Sequence, residues 1–192
     1  GTKPFEGIIP YTVHRIDKET TGVLIVAKNR KYAQLFTSLF RIRKIHKTYL
    51  GIVLGEMQKK KGTFYDELFY YEGDKKVKTK AITHFTVIDS NNNYSLLKLN
   101  PETGRKHQLR RQLLIHGYPI LGDSKYRISD NYKSKKNSLM LHASCKPVNL
   151  SSFKAPYRTI CSVCFFASFS HASSMTAKPP FSLIALVLKF VW

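Results

Sequence analysis

Helical periodicity is scarce in this chain, and that scarcity restricts its fold more than any other feature. Tyr32, Leu35, Phe36 and Leu39 recur at helical spacing and predict a helix over 30–42, with Asn29 as its N-cap. The stretch from Lys106 to Ile115 predicts a second helix, entered through Pro101 to Gly104. Most of the remaining pattern is short β-rich runs between turn residues. Val23 to Ala27 is the apolar run of a buried strand, and Thr48 to Leu54 is β-rich and ends at Gly55. Lys59 to Lys61 with Gly62 read as a turn, followed by strands over 63–70, 77–88 and 94–99. Asn91-Asn92-Asn93 marks a hairpin turn between the last two, and Leu139 to Ser144 a closing strand. Hairpins in mixed order with few helices predict an α+β fold, a mixed and mostly antiparallel sheet with flanking helices, rather than a doubly wound parallel sheet.

The 192 residues, 43% of them hydrophobic, suffice for a domain with its own core. Charge is the outlying property. Lys and Arg number 32 against 12 Asp and Glu, a formal net charge of +20. Such an excess costs self-repulsion in the compact state and points to a polyanionic partner, with nucleic acid foremost. Three cysteines, Cys145, Cys161 and Cys164, argue against a disulfide scaffold and fit a reducing, cytoplasmic setting. Cys161 and Cys164 have only His171 nearby, so no metal site is expected. The acidic residues are scattered, which disfavours a metal-dependent nuclease. No apolar leader is apparent, and the run from Phe181 to Trp192 is too short to span a bilayer.

Three segments carry chemistry. His14 to Glu19 places five ionisable side chains among six residues, followed by Thr20-Thr21-Gly22, immediately before the buried strand. A carboxylate at the mouth of such a strand costs desolvation unless a cation pairs with it; the alternative is an ordinary polar loop. In Lys44 to Gly55 a strand has a basic entrance and one aromatic, Tyr49, which suits either a base-stacking position or plain core. Asn100 to Gln112 gathers Arg105, Lys106, His107, Arg110 and Arg111 at a helix start. Helix N-termini favour anions, so cations there serve a ligand, such as a phosphate, or a buried carboxylate.

These segments resemble, in order, the motifs of the RluA-type pseudouridine synthase family. H-R-I-D-K-E-T-T-G-V-L-I-V-A-K-N is similar to the catalytic motif, and K-T-Y-L-G-I-V-L-G to the second. T-G-R-K-H-Q-L-R with G-Y-P-I-L-G-D-S-K-Y is similar to the third, and Leu139 to Ala143 resembles the segment near the end of the catalytic domain. The resemblance implies conversion of uridine to pseudouridine in RNA, most nearly large-subunit ribosomal RNA, by a monomer with no cofactor, no metal and no membrane. It makes Asp17 the essential aspartate, acting by attack on the base, attack on the ribose or a glycal route. Arg110 matches the arginine that pairs with that aspartate. Tyr49 matches the aromatic that stacks on the target base, and Arg15 the residue that helps extrude it. Lys47, Arg105, Lys106 and His107 are expected to contact RNA, with His14, Arg105 and His107 also serving as scaffolding. Asp123 is expected to be structural.

There are departures. The chain opens at Gly1-Thr2-Lys3, which reads as just past the asparagine-lysine-proline turn of relatives, and the small N-terminal RNA-binding domain of many relatives is not seen. Gln112 stands where histidine is common, and Gly51 where alanine is. Residues 1–156 are therefore expected to form a partial catalytic domain, with Phe153 to Pro156 a remnant of its ending. Residues 157–192, which contain no acid, are an atypical tail with the composition of a changed reading frame or fusion. On that reading the sheet would lack edge strands at both ends, and Phe165, Phe166 and Phe169 would favour aggregation. The alternative function is a catalytically inactive remnant that binds RNA through its basic face.

Overall fold

A computed structural model describes residues 9–128 and 138–144, and the backbone of 184–189. The cysteines, His171, Phe153 to Pro156 and the phenylalanines of the tail lie outside the described residues. The chain divides into two compact units, Gly1–Ile16 with Val23–His46 and Cys145–Leu188, and Asp17–Gly22 with Lys47–Ser144 and Lys189–Trp192. No helix among the described residues is long and apolar enough to cross a membrane.

In the first unit, β1 (Tyr11–Thr12) pairs antiparallel with the end of β2 (Thr21–Ala27) through Tyr11↔Ala27 and Thr12↔Val26. Helix α1 (Arg30–Arg41) begins at Asn29, whose side chain accepts a hydrogen bond from Tyr32 N–H at 3.1 Å. That cap satisfies one of the orphan donors of the first turn, as the sequence predicts. Phe36 is buried with Val13, Ala27 and Ile45, and Tyr32, Leu39 and Phe40 pack at the margin.

The second unit is built on a mixed sheet. Thr21 and Gly22 of β2 pair parallel with β7 (Leu141–Ser144), which pairs antiparallel with β3 (Thr48–Leu54). The order continues antiparallel through β6 (Tyr94–Pro101), β5 (Lys75–Ser90) and β4 (Lys61–Glu72). Outside this order, β8 (Ile184–Lys189), which apart from Lys189 belongs to the first unit, pairs with β2. The α+β class and the Asn91–Asn93 turn are as expected; Asn91 Oδ1 accepts from Asn93 and Tyr94 N–H. β4 and β5 form one long hairpin, closed by Gly73 and Asp74 with Gly73 at φ 60°. The predicted turn over Lys59 to Gly62 is shorter than expected, because Lys61 and Gly62 already belong to β4. Gly62 is there for proximity: a Cβ would lie 2.8 Å from the Phe85 ring.

Helix α2 (Gln108–Ile115) lies against this sheet. Leu109 and Leu113 join Val53, Phe64, Phe85, Leu97, Leu99 and Leu141 in the core. Each fully buried leucine contributes roughly 1.5–3 kcal/mol. Two buried glutamines anchor the same helix by hydrogen bonds. Gln112 Oε1 accepts from Thr83 Oγ1 at 2.6 Å, and its Nε2 donates to Asp66 Oδ2 at 2.7 Å and Ala81 O at 3.1 Å. Gln108 Nε2 donates to Ile82 O and Thr83 Oγ1, while its Oε1 accepts from Thr103 Oγ1 and Arg105 N–H. Leaving any of these buried groups unpaired would cost about 1–3 kcal/mol, so the helix is held in one rotation and one register.

Candidate active site

The loop carrying Asp17 is fixed at three points. Thr20 N–H donates to Asp17 O at 3.1 Å, turning the chain so that buried Thr20 enters β2. Gly22, at φ 107°, presses against β7 so closely that a Cβ would stand 2.2 Å from Ala143 O. Glu19 Oε2 receives the guanidinium of Arg110 at 2.7 Å, and Glu19 Oε1 accepts from Ser124 Oγ at 3.1 Å.

Arg110 is the centre of this arrangement. Its side chain is 3% exposed and makes two parallel hydrogen bonds to Asp123, Nε to Oδ2 and Nη2 to Oδ1, each 2.7 Å. Asp123 Oδ1 also accepts from Lys125 and Tyr126 N–H at 2.9 and 2.8 Å. Burial pushes the Asp123 carboxyl up, but Arg110 and the two backbone donors outweigh it and hold the group below its ordinary value. Burial likewise works against the Arg110 charge, and Asp123, Glu19 and Asp17 together raise its pKa. The family resemblance implies Asp17 as the ion-pair partner of Arg110. The geometry differs: the guanidinium hydrogen-bonds Asp123 and pairs ionically with Glu19, and Asp17 acts on it as a nearby negative charge.

Asp17 is approached instead by His107, whose Nε2 lies 3.8 Å from Asp17 Oδ1. His107 caps α2 in the left-handed conformation, φ 54° and ψ 32°, an uncommon state for a residue with a side chain. Its Nδ1 is 2.9 Å from Tyr126 Oη, and the rings meet edge to face. Burial keeps the Tyr126 phenol protonated to higher pH. A Tyr126 O–H donated to Nδ1 leaves the proton of a neutral His107 on Nε2, facing Asp17. Burial, partly opposed by Asp17 and reinforced by Arg110, Lys125 and Lys106, lowers the His107 pKa and favours that neutral ring.

Tyr49 extends from β3 and packs against the main core while remaining partly accessible. Its burial and the charge of Asp17 push the phenol up to about 12, so it is a neutral hydrogen-bond donor at physiological pH. Lys47 is half-buried, which lowers its pKa, and a Cβ on Gly104 would meet its Nζ at 3.0 Å. Asn100 Nδ2 donates to Lys47 O and Thr48 Oγ1, fixing the start of β3. Arg105 and Lys106 are exposed, and Arg105 Nε donates to Lys80 O at 3.2 Å. Arg15 is exposed and belongs to the first unit. His14 also lies there, and its Nε2 accepts from Ile25 N–H at 2.9 Å. Among the described residues, no group of three or more His, Cys, Asp or Glu is placed to hold a metal ion.

Asp17, Tyr49, His107 and Arg110, singled out in the sequence, lie in one neighbourhood, which Glu19 and Tyr126, not singled out there, share. Glu19 looked like one more charge in a polar run. The clue to Tyr126 was its place in the G-D-S-K-Y segment, whose turn brings it under the helix start.

Comparison with known proteins is consistent with this assembly. Residues 2–114 match the family model described as RNA pseudouridylate synthase. The chain is 38% identical over 145 residues to the ribosomal large subunit pseudouridine synthase D of Borreliella burgdorferi, covering 72% of this chain and 44% of that protein. It is 33% identical over 157 residues to the tRNA pseudouridine synthase C of Haemophilus ducreyi, covering 69% and 64%. Among solved structures, human RNA pseudouridylate synthase domain containing 4 superposes with a TM-score of 0.61 at 29% identity, covering 70% of this chain and 65% of that one. The chain therefore spans between about half and two thirds of the length of these relatives. With a family match over more than half its residues and the family's motifs folded around one carboxylate, the chain belongs to the RNA pseudouridylate synthase family.

Proposed function

We propose that this chain converts uridine to pseudouridine in RNA, with Asp17 as the catalytic carboxylate. The observation that carries the reading is the placement of Asp17 on a loop held by Arg110 and Gly22, beside His107 and within electrostatic reach of Tyr49. Such chemistry breaks a base–sugar bond, turns the base and rejoins it through carbon, with no net change in atoms or electrons and no cofactor. It needs a carboxylate held in one position and an aromatic beside the flipped base. Tyr49 supplies the ring and a neutral O–H donor. As a phenolate base it would be populated only about one part in 10⁵ at pH 7, given a pKa of about 12. His107 positions the carboxylate, and Arg110 ties the loop to the helix. Arg15, Lys47, Arg105 and Lys106 provide cations for the RNA backbone.

The ribosomal large subunit is the favoured substrate, on the R-K-I-H-K-T-Y and L-G-D-S-K-Y segments and the name of the Borreliella relative. Incubation with unmodified large-subunit ribosomal RNA, followed by carbodiimide primer extension, tests the proposal. The expected result is a site-specific stop that vanishes in Asp17→Asn. RNA binding without any stop on ribosomal or transfer RNA would instead favour the inactive-remnant reading.

A further inference from the structure

The β4–β5 hairpin carries a surface that the site above leaves unexplained. Along β4, Phe64 and Leu68 are buried, so the alternate residues Tyr65, Glu67, Phe69 and Tyr71 face outward. The register sets Tyr65 opposite Ile82, Glu67 opposite Lys80, Phe69 opposite Lys78 and Tyr71 opposite Lys76. One face of the ribbon is therefore a column of aromatics beside a column of lysines. Tyr65 and Tyr71 are 70% and 71% exposed, and Phe69 is 38% exposed. Exposed aromatic rings cost hydration free energy, and a ribbon of three on one strand calls for a partner.

The charges narrow that partner. Lys76 Nζ lies 4.3 Å from the Phe69 ring centroid and Lys78 Nζ 5.4 Å, so cations already flank a π-face. Among positions 65–71 and 76–82 of this face Glu67 is the one acid, and it is paired with Lys78 at 2.8 Å. The balance of the face is positive. Same-face positions along a strand lie about 6.6 Å apart, a repeat comparable with that of successive phosphates along an extended nucleic-acid strand. The face also runs toward Asp17. Where β6 ends, Glu102 N–H donates to Ile82 O, Ile82 N–H to Thr103 Oγ1 and Arg105 Nε to Lys80 O. Two residues after Arg105 comes His107 at Asp17.

We infer that the outward face of this hairpin, Tyr65, Phe69 and Tyr71 with Lys76, Lys78 and Lys80, is a second RNA-binding surface, on which unpaired bases stack and phosphates are neutralised. The inference rests on the reading that RNA is the substrate, and it adds where the flanking strand lies. Stacking on aromatics tolerates any base, so the surface contributes affinity and orientation rather than sequence choice.

The test uses the full chain and a fluorescein-labelled 20-nucleotide oligouridylate, titrated at several salt concentrations. Tyr65→Ala/Phe69→Ala/Tyr71→Ala is expected to weaken binding by ~10-fold or more, the loss of one or two stacked bases. Lys76→Gln/Lys78→Gln/Lys80→Gln is expected to lower the salt slope by about 2. Wild-type chain irradiated with 4-thiouridine-substituted oligonucleotide should carry adducts on residues 65–80, a readout that no folding defect can imitate. Unchanged affinity and slope, or adducts only elsewhere, would overturn the inference while leaving the proposed activity standing. The inference is equally overturned if the variants keep RNA affinity and lose binding to phosphatidylserine vesicles, which would mark the face as a membrane contact. Hairpin-dependent binding by a chain that forms no pseudouridine would sustain the inference and sink the activity instead.

Discussion

Arg110 binds Asp123 and Glu19 at the same distance, 2.7 Å, but substitution of the two acids is expected to have very different costs. The Asp123 side chain is fully buried, whereas that of Glu19 is 42% exposed. Unit charges about 4 Å apart attract by ~4 kcal/mol at an effective dielectric near 20, and by ~1 kcal/mol in bulk water. Asp123→Asn removes the buried anion and turns an amide N–H₂ toward a guanidinium that can only donate. Breaking a buried pair from one side costs about 3–5 kcal/mol, and that is the expected loss in urea unfolding at pH 7. Glu19→Gln removes a solvent-screened charge and is expected to cost below about 1 kcal/mol. The pH dependence follows from the direction of the Asp123 shift. Its folded carboxyl titrates below the ordinary value, so its contribution is complete above the unfolded pKa near 3.8 and is lost as pH falls through the lower folded value. The stability gap between wild type and Asp123→Asn should therefore begin to close only as pH falls below about 4, and go on closing through the lower folded value. A Glu19→Gln cost equal to or larger than that of Asp123→Asn would refute the burial argument.

Gly22→Ala is expected to destabilise by about 3 kcal/mol or more, because a φ of 107° and a Cβ 2.2 Å from Ala143 O combine backbone strain with a clash against backbone; chemical denaturation measures it. For Tyr49 the folded phenol titrates at about 12 against 10.0, so wild-type stability should fall between pH 10 and 12, by about 2–3 kcal/mol. Tyr49→Phe should flatten that fall and remove one late-titrating tyrosinate from the absorbance at 295 nm; a wild-type-like titration would contradict the assignment.

The local elements were readable because local chemistry decides them. Asn29 before a 3.6-residue apolar repeat and three asparagines between alternating runs each specify one structure with few competitors. Errors fell where tertiary contact overrides composition. Lys61 and Gly62 have the composition of a loop, but Gly62 lies beneath the Phe85 ring and pairs with it in the strand. The second helix was expected from Lys106 and starts at Gln108, because His107 takes a left-handed conformation that ends the preceding loop. Of the cations at that helix start, Arg110 serves a buried carboxylate, Asp123, whereas Arg105 and Lys106 are exposed. No periodicity links Arg110 to a residue thirteen positions onward, or to Glu19 ninety-one positions earlier. Those partners are set by tertiary structure, in which Thr21 and Gly22 pair with β7 and α2 packs on the same unit.

The replacement of the expected Arg110–Asp17 pair by Arg110–Glu19 changes what the arginine does. A guanidinium bound to the carboxylate proposed as catalytic would engage its oxygens directly. Here its Nε and Nη2 hydrogen-bond Asp123, which fixes the arginine, and Nη2 pairs ionically with Glu19, on the loop two residues beyond Asp17. Its charge still reaches Asp17 through space. Helix α2 therefore positions the carboxylate twice, through Arg110 on the loop and through His107 at its own start, and Gln108 and Gln112 hold that helix on β5. Neither glutamine touches the site. Their hydrogen bonds nevertheless help set where both side chains stand, so the precision the proposed chemistry requires is built into the core as well as into the loop.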